Sequence, residues 1–309
     1  MQIYLAPMEG ITTFVYRNAF ARHYGGVDKY FTPFLSNKNL NYKEINEVSP
    51  EHNKNLVVVP QILTARTEVF LSIAAQLADY GYREVNLNLG CPSGTVVAKK
   101  RGAGFLGVPD ALNAFLGEIF EKCPLEISIK TRIGMESVDK WEGLLAIYGK
   151  YPLKELIVHP RLQKEFYEGT PHVEAFRIAQ ELLPGLPLCY NGDIVSKASF
   201  DAVATRLMPV DSIMLGRGAL SHPALPMAMK AQTPETTPSA EDLRKFRAFH
   251  DEILDGYREL MSGDQPVLFR MKELWIYMGR YLRLTDKQMK QIQKSKRIED
   301  YQSIIAGNR

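Results

Sequence analysis

The sequence is poor in cysteine, and this limits the kinds of structure that it can form. Its 309 residues include three cysteines, Cys91, Cys123 and Cys189, and no two of them form a CxxC pair. Such a sparse and odd set argues against a disulfide framework or a zinc site and is typical of a reducing compartment. We therefore expect a cytoplasmic protein without a bound metal.

The sequence also lacks the segments that direct a protein to a membrane or hold it there. No apolar run reaches the roughly 18 residues that a membrane-spanning helix needs. The first residues, from Met1 to Pro7, show neither the basic start nor the apolar core of a signal peptide. Hydrophobic residues make up 45% of the chain and charged residues 24%, which is ordinary globular usage. We expect a folded monomer with no membrane partner.

What the sequence does contain is a succession of short apolar segments with helical patterns between them. Some segments, such as Leu56 to Val59, are continuous, which is typical of parallel strands buried on both faces. Three- and four-residue apolar spacing predicts a helix over 67–80, and another begins at Pro109. Pro60 is unusual inside a barrel strand because proline cannot donate a ladder hydrogen bond. The eight predicted strands are 3–6, 29–34, 56–63, 84–88, 126–131, 155–159, 186–191 and 211–215.

Eight such βα units favour a (β/α)₈ barrel of the TIM type. The alternative, a doubly wound sheet, would normally carry a glycine fingerprint after its first strand, where this chain has Ala6-Pro7-Met8-Glu9-Gly10. The segment from Ser221 to Pro238 contains four prolines and is predicted to be a linker. We predict a barrel domain over residues 1–225 and a small, all-helical C-terminal domain over residues 238–309.

The predicted helical domain carries an excess of positive charge. Between Gln265 and Arg297 there are nine cationic and two anionic residues, a net charge of +7, whereas the whole chain has +3. Aromatic residues, including Trp275 and Tyr277, are interleaved with the cations. The pattern favours binding to an anionic polymer such as RNA. A solvated helix face remains an equal alternative from charge alone, and the spacing of Trp275 from Met271 and Met278 favours a core position over base stacking.

Polar residues cluster where the predicted strands end. In a barrel of this type the C-terminal ends of the strands form the active site. A single polar residue there is usually structural, but seven groups around one mouth favour a functional site. They are Pro7 with Met8, Gln61, Asn88 to Pro92, Lys130 to Arg132, His159 to Arg161, Asn191 to Asp193, and Gly216 to Gly218.

Four of these groups suggest particular chemistry. Asn191-Gly192-Asp193 and Gly216-Arg217-Gly218 combine glycines with a guanidinium, a pattern that suits a phosphate group in a TIM barrel. Lys130 could stabilise negative charge on a ring, or could belong to a structural ion pair. Cys91, between Gly90 and Pro92, is held on a loop, where it could act as a nucleophile or as a general acid.

Taken together, these motifs resemble the dihydrouridine synthase family. The resemblance runs from about residue 3 to about residue 280, and the Asn-x-Gly-Cys-Pro motif is its most specific part. The helical tail is similar to the basic, tryptophan-containing element of the family's RNA-binding domain. The motifs are Ala6 to Gly10, Asn88 to Pro92, Arg101 to Gly104, Ile129 to Arg132, Asn191 to Asp193, Gly216 to Gly218, and Arg270 to Trp275.

The resemblance implies FMN as cofactor and NADPH as its reductant. Hydride transfer to C6 of a uracil in RNA, with transfer RNA as the family default, would be followed by protonation of C5 by Cys91. The implied cofactor-binding residues are Pro7, Met8, Glu9, Gln61, Lys130, His159, Asn191, Gly192, Asp193, Gly216 and Arg217. The implied substrate- or RNA-binding residues are Asn88, Arg132, Tyr167, Arg270 and Lys272.

Two other functions compete with this one. An FMN-dependent barrel oxidoreductase acting on a small pyrimidine-like molecule would share the phosphate site but would not need a basic helical tail. An RNA-binding module on an inactive barrel would be favoured by the loss of Cys91 or Lys130, and both are present. The residues do not distinguish transfer RNA from ribosomal RNA, nor do they indicate which uridine is reduced.

Overall fold

Nine parallel strands form a single sheet in the computed structural model, which describes residues 1–233 and 237–307. The order of the strands in the sheet is β3-β2-β1-β9-β8-β7-β6-β5-β4. The two strands at its ends are consecutive in the chain, so the sheet curves round into a barrel, and the predicted TIM-type fold is confirmed. The strands are β1 Gln2–Leu5, β2 Lys29–Phe31, β3 Val58–Val59, β4 Gln61–Ile62, β5 Glu84–Leu89, β6 Glu126–Arg132, β7 Leu156–His159, β8 Leu188–Tyr190 and β9 Ser212–Leu215.

Pro60 accounts for the ninth strand. It divides the predicted third strand into β3, which pairs with β2, and β4, which pairs with β5. Proline has no N–H for the ladder, but the Pro60 carbonyl still accepts a hydrogen bond from the Asn86 N–H at 2.9 Å. The first half of the predicted strand therefore pairs with one neighbouring strand, and the second half pairs with the other. The other seven predicted strands are present, with shorter or slightly shifted ends.

Helices alternate with the strands and cover the outside of the barrel. The helix predicted over 67–80 is found at Thr67–Asp79, and the helix predicted to begin at Pro109 does so. The helices are α1 Phe14–His23, α2 Tyr42–Val48, α3 Thr67–Asp79, α4 Gly94–Val97, α5 Pro109–Lys122, α6 Trp141–Tyr148, α7 Val173–Leu182, α8 Lys197–Ala204, α9 Arg217–Ser221, α10 Leu225–Ala231, α11 Ala240–Leu260, α12 Asp264–Tyr281, α13 Asp286–Lys294 and α14 Ile298–Gly307.

The predicted linker is partly helical, which corrects the sequence-based expectation. Helix α10 lies within it and buries Leu225 and Met229 against the core. Pro226 occupies the first turn of that helix, where proline is tolerated because the N–H has no partner in any case. Pro234 of the predicted linker, and Asn308 and Arg309 of the predicted helical domain, lie outside the described residues.

Helices α11 to α14 pack against one another and, through α11 and α12, against the barrel at α1 and α9. Phe249 of α11 lies with its ring centroid 5.5, 6.1 and 5.2 Å from those of Tyr16, Phe20 and Tyr24 on the barrel side. Trp275 is fully buried, which confirms its predicted core position. The domain boundary between residues 225 and 238 stays a prediction.

Residues 1–233 and 237–307 contain neither a membrane-spanning helix nor a cluster of metal-ligating side chains. No helix in them has the length and hydropathy required to cross a membrane. No three His, Cys, Asp or Glu side chains within them are grouped so that they could hold a metal ion.

Candidate active site

A cavity of about 330 Å³ opens at the C-terminal ends of the barrel strands. It is lined by Cys91 and by every residue predicted to bind the cofactor, together with Asn88, Arg132 and Tyr167. The structure therefore brings together side chains that lie as far apart in the chain as Pro7 and Arg217. Two of the predicted RNA-binding residues, Arg270 and Lys272, do not line the cavity.

The Lys130 side chain is half-buried and presents its cation to this cavity. In the part of the chain that the structure describes, its ammonium group has neither a hydrogen bond nor an ion pair. Burial, together with the charge of Arg132, lowers the pKa of Lys130 to about 8. The alternative of a structural ion pair thus finds no partner among the described residues. A ligand with negative charge or acceptor atoms beside Lys130 would compensate for the cost of burying this cation.

The loop that carries Cys91 is held in place on both sides. The Asn88 side-chain oxygen accepts hydrogen bonds from the Gly90 and Cys91 N–H groups at 3.0 and 2.9 Å. The Cys91 carbonyl accepts one from the Ala103 N–H at 3.0 Å. Gly102 has a positive φ of 54°, and a Cβ there would lie 2.9 Å from the Cys91 carbonyl oxygen. Only glycine allows this close approach, which accounts for the glycine in the Arg101 to Gly104 motif.

Burial raises the pKa of the Cys91 thiol above its ordinary value, although the Ser93 N–H and the nearby Arg132 partly oppose the shift. A nucleophilic cysteine needs a lowered pKa, whereas a proton donor needs its proton retained. Of the two possibilities left open by residue type, the environment of Cys91 therefore favours the general acid.

His159 faces the cavity as a neutral ring. Burial lowers its pKa well below the ordinary value, and Lys130 and three arginines lower it further. Arg161 Nη1 lies 3.2 Å from His159 Nε2. A guanidinium can only donate, so Nε2 must accept and the ring proton lies on Nδ1. This Nδ1–H is the donor that His159 can offer to a bound molecule.

Asp193 connects two arginines. Its carboxylate contacts the fully buried Arg161 at 2.5 and 3.0 Å and Arg217 at 2.5 Å. Burial opposes ionisation of Asp193, but the hydrogen bonds and charges of the two arginines outweigh it and lower its pKa. Asp193 was predicted among the residues at the phosphate end of the cofactor; in the structure its carboxylate orients Arg217 at the edge of the cavity. The sequence indicated Arg161 only as a strand-end residue, and this pairing could not be read from its position.

Tyr167 lies between two guanidinium groups at the mouth of the cavity. The guanidinium Cζ atoms of Arg132 and Arg217 lie 5.4 and 5.1 Å from the centroid of the Tyr167 ring, within cation–π range. Tyr167 is 54% exposed, so it can also contact another molecule. Arg132 also donates to the carbonyls of Gly90, Leu162 and Phe166, and so fixes the loops on which Cys91 and Tyr167 lie. Direct contact between Arg132 and RNA stays a prediction.

Sequence reasoning missed several residues that line the cavity: Ile11, Pro33, Phe34, Ile194, Val195, Met214 and Tyr277. Tyr277 comes from α12, and in the described chain it is the one lining residue that lies beyond α9. Its hydroxyl has no hydrogen-bond partner among the described residues, and burial raises its pKa. In the sequence, Tyr277 is one of several aromatic residues interleaved with the cations of the tail. Its spacing did not distinguish it from Tyr281, which is buried.

Arg270 and Lys272 make structural contacts. Arg270 donates to the Gly10 carbonyl at 3.4 Å and pairs with Glu273 at 3.2 Å. Lys272 donates to the carbonyl of Ser295. The first contact ties α12 to the loop after β1, and the second ties α12 to the end of α13. Their predicted contact with RNA stays untested, and these bonds mean that their loss would also affect packing.

The family model for dihydrouridine synthases matches residues 4–302 of this sequence. The chain belongs to this family. Membership identifies it as an oxidoreductase, and the chemistry of the cavity agrees, since Lys130 and Cys91 lie among the lining residues.

Named relatives of this dihydrouridine synthase family member agree with the assignment. A probable tRNA-dihydrouridine synthase of Staphylococcus epidermidis (strain ATCC 12228 / FDA PCI 1200) is 29% identical over 227 residues, which are 71% of this chain and 69% of the relative. Probable tRNA-dihydrouridine synthase 2 of Bacillus subtilis (strain 168) is 26% identical over 280 residues, 88% of this chain and 84% of the relative.

Solved structures with the same fold include two reductases. Morphinone reductase matches with a TM-score of 0.53 and 12% identity, over 78% of this chain and 88% of that one. 2-Naphthoyl-CoA reductase, in complex with 2-naphthoyl-CoA, matches with a TM-score of 0.56 and 11% identity, over 75% of this chain and 50% of that one. At such low identity these matches establish the barrel fold alone.

Proposed function

We propose that this chain reduces a specific uridine of transfer RNA to 5,6-dihydrouridine, with FMN as cofactor and NADPH as reductant. The observation that carries the proposal is the cavity itself, where a protonated Cys91 thiol and an unpaired Lys130 cation lie at one barrel mouth. The two relatives described above are named probable tRNA-dihydrouridine synthases, which supports transfer RNA as the substrate.

The lining residues fit FMN. Lys130 is a half-buried cation that lacks a partner among the described residues, and FMN offers it a carbonyl-rich ring edge. A Cβ on Gly192 would lie 2.9 Å from the Tyr190 hydroxyl, and one on Gly218 would lie 2.1 Å from the Ile194 carbonyl. Only glycine fits at these two positions, so the loop after β8 and the start of α9 pack closely together beside Arg217. When bound, FMN reduced by NADPH would supply a hydride to C6 of the uracil.

The chain's own groups would complete the reaction. Lys130, Gln61 and His159 would hold the cofactor ring, and Arg217, with Gly192 and Gly216, would hold its phosphate. The Cys91 thiol would deliver a proton to C5, and its raised pKa keeps that proton available at neutral pH. Asn88 and Tyr167 would hold the uracil. Removing a base from its stack costs a few kcal/mol, and the basic helices α12 and α13 would offset that cost by binding the RNA backbone.

The test begins with the purified protein. Its chromophore is released by denaturation and identified, and the protein is then incubated with NADPH and unmodified transfer RNA. We expect one FMN per chain and dihydrouridine at a defined position, detected by mass spectrometry of nuclease digests. Release of FAD would contradict the cofactor assignment. Reduction of free uracil or orotate without reduction of RNA would support the alternative of a small-molecule oxidoreductase.

A further inference from the structure

A directional chain of hydrogen bonds crosses the barrel from its N-terminal end to the Cys91 loop. The Ser128 hydroxyl donates to Glu84 Oε1 at 2.7 Å, and Asn86 Nδ2 donates to Ser128 Oγ at 3.0 Å. Gln61 Nε2 donates to Asn86 Oδ1 at 2.8 Å, and Asn88 Nδ2 donates to Gln61 Oε1 at 2.7 Å. Asn88 Oδ1 then accepts from the Gly90 and Cys91 N–H groups.

The chemistry of its two ends fixes the direction of this chain. At the lower end, the carboxylate of Glu84, which pairs with Lys29 at 3.2 Å, accepts from the Ser128 hydroxyl. At the upper end, backbone N–H groups can only donate, so Asn88 must present its oxygen to them. Flipping any of the three amides would set a donor against a donor or an acceptor against an acceptor. Asn86 and Ser128 are fully buried, so no solvent is at hand to compensate for such a mismatch.

The direction of the chain decides what Gln61 and Asn88 can offer to the cavity that they line. Each amide oxygen is already used within the chain, and each NH₂ group gives one of its two hydrogens to the chain. The second hydrogen of each has no partner among the described residues. Together with the Lys130 ammonium group, the two amides can therefore offer N–H donors to the cavity, whereas Asn88 Oδ1 already accepts two hydrogen bonds within the chain.

We infer that Glu84, Ser128 and Asn86 are positioning residues that hold Gln61 and Asn88 as hydrogen-bond donors, so that the cavity selects ring edges made of acceptors. The inference rests on the proposed function for the identity of these rings. The carbonyl and imine edge of a flavin and the carbonyl oxygens of uracil are of this class. A ring edge that carries an amino group would set its donor against these donors and would be rejected.

The first test breaks the chain at Ser128, which does not line the cavity. Ser128→Ala removes the acceptor of Asn86 Nδ2 and frees that amide to turn. Ser128→Thr keeps the hydroxyl and is the conservative variant. Ser212→Ala is the matched control, because Ser212 is a buried barrel serine whose hydroxyl lies within hydrogen-bond distance of Glu155 and the Leu188 carbonyl and contacts no residue of this chain of hydrogen bonds directly.

FMN affinity and the flavin absorption spectrum are measured for each loaded variant. For Ser128→Ala we expect FMN affinity to fall about 2- to 12-fold, the worth of one hydrogen bond, with a shifted flavin spectrum. Ser128→Thr and Ser212→Ala should keep the wild-type affinity and spectrum. A merely structural role of Ser128 would lower the melting temperature and leave the spectrum unchanged.

The second test needs no cofactor. Two double variants are made in the FMN-free protein: Ser128→Ala with Gln61→Leu, and Ser212→Ala with Gln61→Leu. The loss in melting temperature of each double variant is compared with the sum of the losses of its two single variants. Because Asn86 links Ser128 to Gln61, the first pair should lose less than the sum of its single losses, whereas the second pair should be additive.

The outcomes separate this inference from the proposed function. Additive losses for Ser128 with Gln61 would overturn the inference, as would a flavin affinity and spectrum of Ser128→Ala equal to those of Ser212→Ala. If the first pair is coupled but the wild-type protein makes no dihydrouridine in transfer RNA, the proposed function fails and the chain of hydrogen bonds stands.

Discussion

At the scale of single residues, Cys91 and Lys130 divide the proposed reaction between them. Both line one cavity, but burial acts on them in opposite senses. It raises the pKa of the thiol and keeps the thiol protonated, while it lowers the pKa of the ammonium group to about 8. Desolvation disfavours the charged form of either group. The Cys91 thiol is thus suited to donate a proton, and the Lys130 ammonium group would be stabilised by a ligand rich in hydrogen-bond acceptors.

Replacing Cys91 by alanine should separate the two halves of the reaction. We expect Cys91→Ala to bind FMN and oxidise NADPH as the wild type does, but to form dihydrouridine about 10²- to 10⁴-fold more slowly, the usual worth of a general acid. Stopped-flow reduction of the flavin and dihydrouridine formation are measured on the same preparation. Unchanged uridine turnover would mean that another group supplies the proton.

The affinity of the protein for FMN should depend on pH through Lys130. The folded-state pKa of about 8 lies below the ordinary value of 10.5, so Lys130 is charged below pH 8 and loses its proton above it. The wild-type affinity should therefore fall as the pH rises through 8, by at most about tenfold per pH unit. Cys91 and His159 stay neutral near pH 8, because the thiol pKa is raised and the imidazole pKa is lowered.

Lys130→Met is the control for this pH dependence. It should bind FMN more weakly than the wild type at neutral pH and show little change in affinity across pH 8. Titration of the FMN-free protein with FMN, followed by the quenching of flavin fluorescence, measures both. An equally steep pH dependence in Lys130→Met would assign the effect to another group.

Patterns local to the sequence identified the residues around the cavity but not the bonds between them. Asn88, Cys91 and Lys130 were visible because they follow apolar strands. The hydrogen bonds from Gln61 to Asn86 and from Asn86 to Ser128 depend on the register of β4, β5 and β6. No local sequence pattern predicts this register. Tyr277 was missed as a site residue for a similar reason, because its place at the cavity depends on how α12 packs against α9.

At the scale of elements, α12 and α13 carry the charge that we assign to RNA binding. Arg270 and Lys272 are tied into the packing, but Arg280 and Lys290 are exposed and have no ion pair in the described chain. These two are the sharper test of an RNA contact.

We expect Arg280→Gln with Lys290→Gln to weaken transfer RNA binding and leave NADPH oxidation unchanged. Each lost phosphate contact should make the slope of log affinity against log salt shallower by about 0.7 to 0.9. Lys122→Gln with Lys140→Gln removes the same charge from exposed positions on the barrel and should leave the slope as it is. Equal slopes in the two double variants would contradict the assignment of RNA binding to the helical tail. Neutralising Arg270 and Lys272, in contrast, should lower the melting temperature of the protein, because both side chains make structural contacts.

Pro60 and α10 mark the limits of prediction from sequence for the fold. The strand runs were found because they are continuous and apolar, but the break at Pro60 follows from one strand having to pair with two neighbours. Helix α10 was taken for linker because its prolines suggested a break, although Pro226 lies in the first turn of the helix. In both cases the sequence showed the proline, and the tertiary contacts decided what it does.

At the scale of the whole molecule, the helical tail covers an aromatic surface of the barrel. Tyr16, Phe20 and Tyr24 pack against Phe249 of α11. The interface is close, since a Cβ on Gly256 would lie 2.7 Å from Val15 Cγ1. The barrel surface and the tail therefore depend on each other for burial, even though the predicted boundary lies between them.

A chain of residues 1–225 should consequently be poorly soluble. Exposing these rings forfeits about 1.5–3 kcal/mol for each large side chain and leaves an apolar patch that favours association. The soluble yield and the binding of a hydrophobic dye are compared with those of the full chain. A soluble, monomeric barrel with wild-type FMN affinity would contradict this expectation and show that the barrel folds without its tail.

The two tryptophans lie in different regions, so their fluorescence can be used to follow the unfolding of the barrel and of the helical tail separately. Trp141, on α6, donates to the Ala175 carbonyl within the barrel, and Trp275 lies in the core of the tail and donates to the Tyr301 hydroxyl. The sequence contains no other tryptophan. With Trp141→Phe or Trp275→Phe, the remaining indole emission follows one region at a time during denaturation. Two coincident curves would describe a single cooperative unit, and two separate curves would describe a tail that melts on its own.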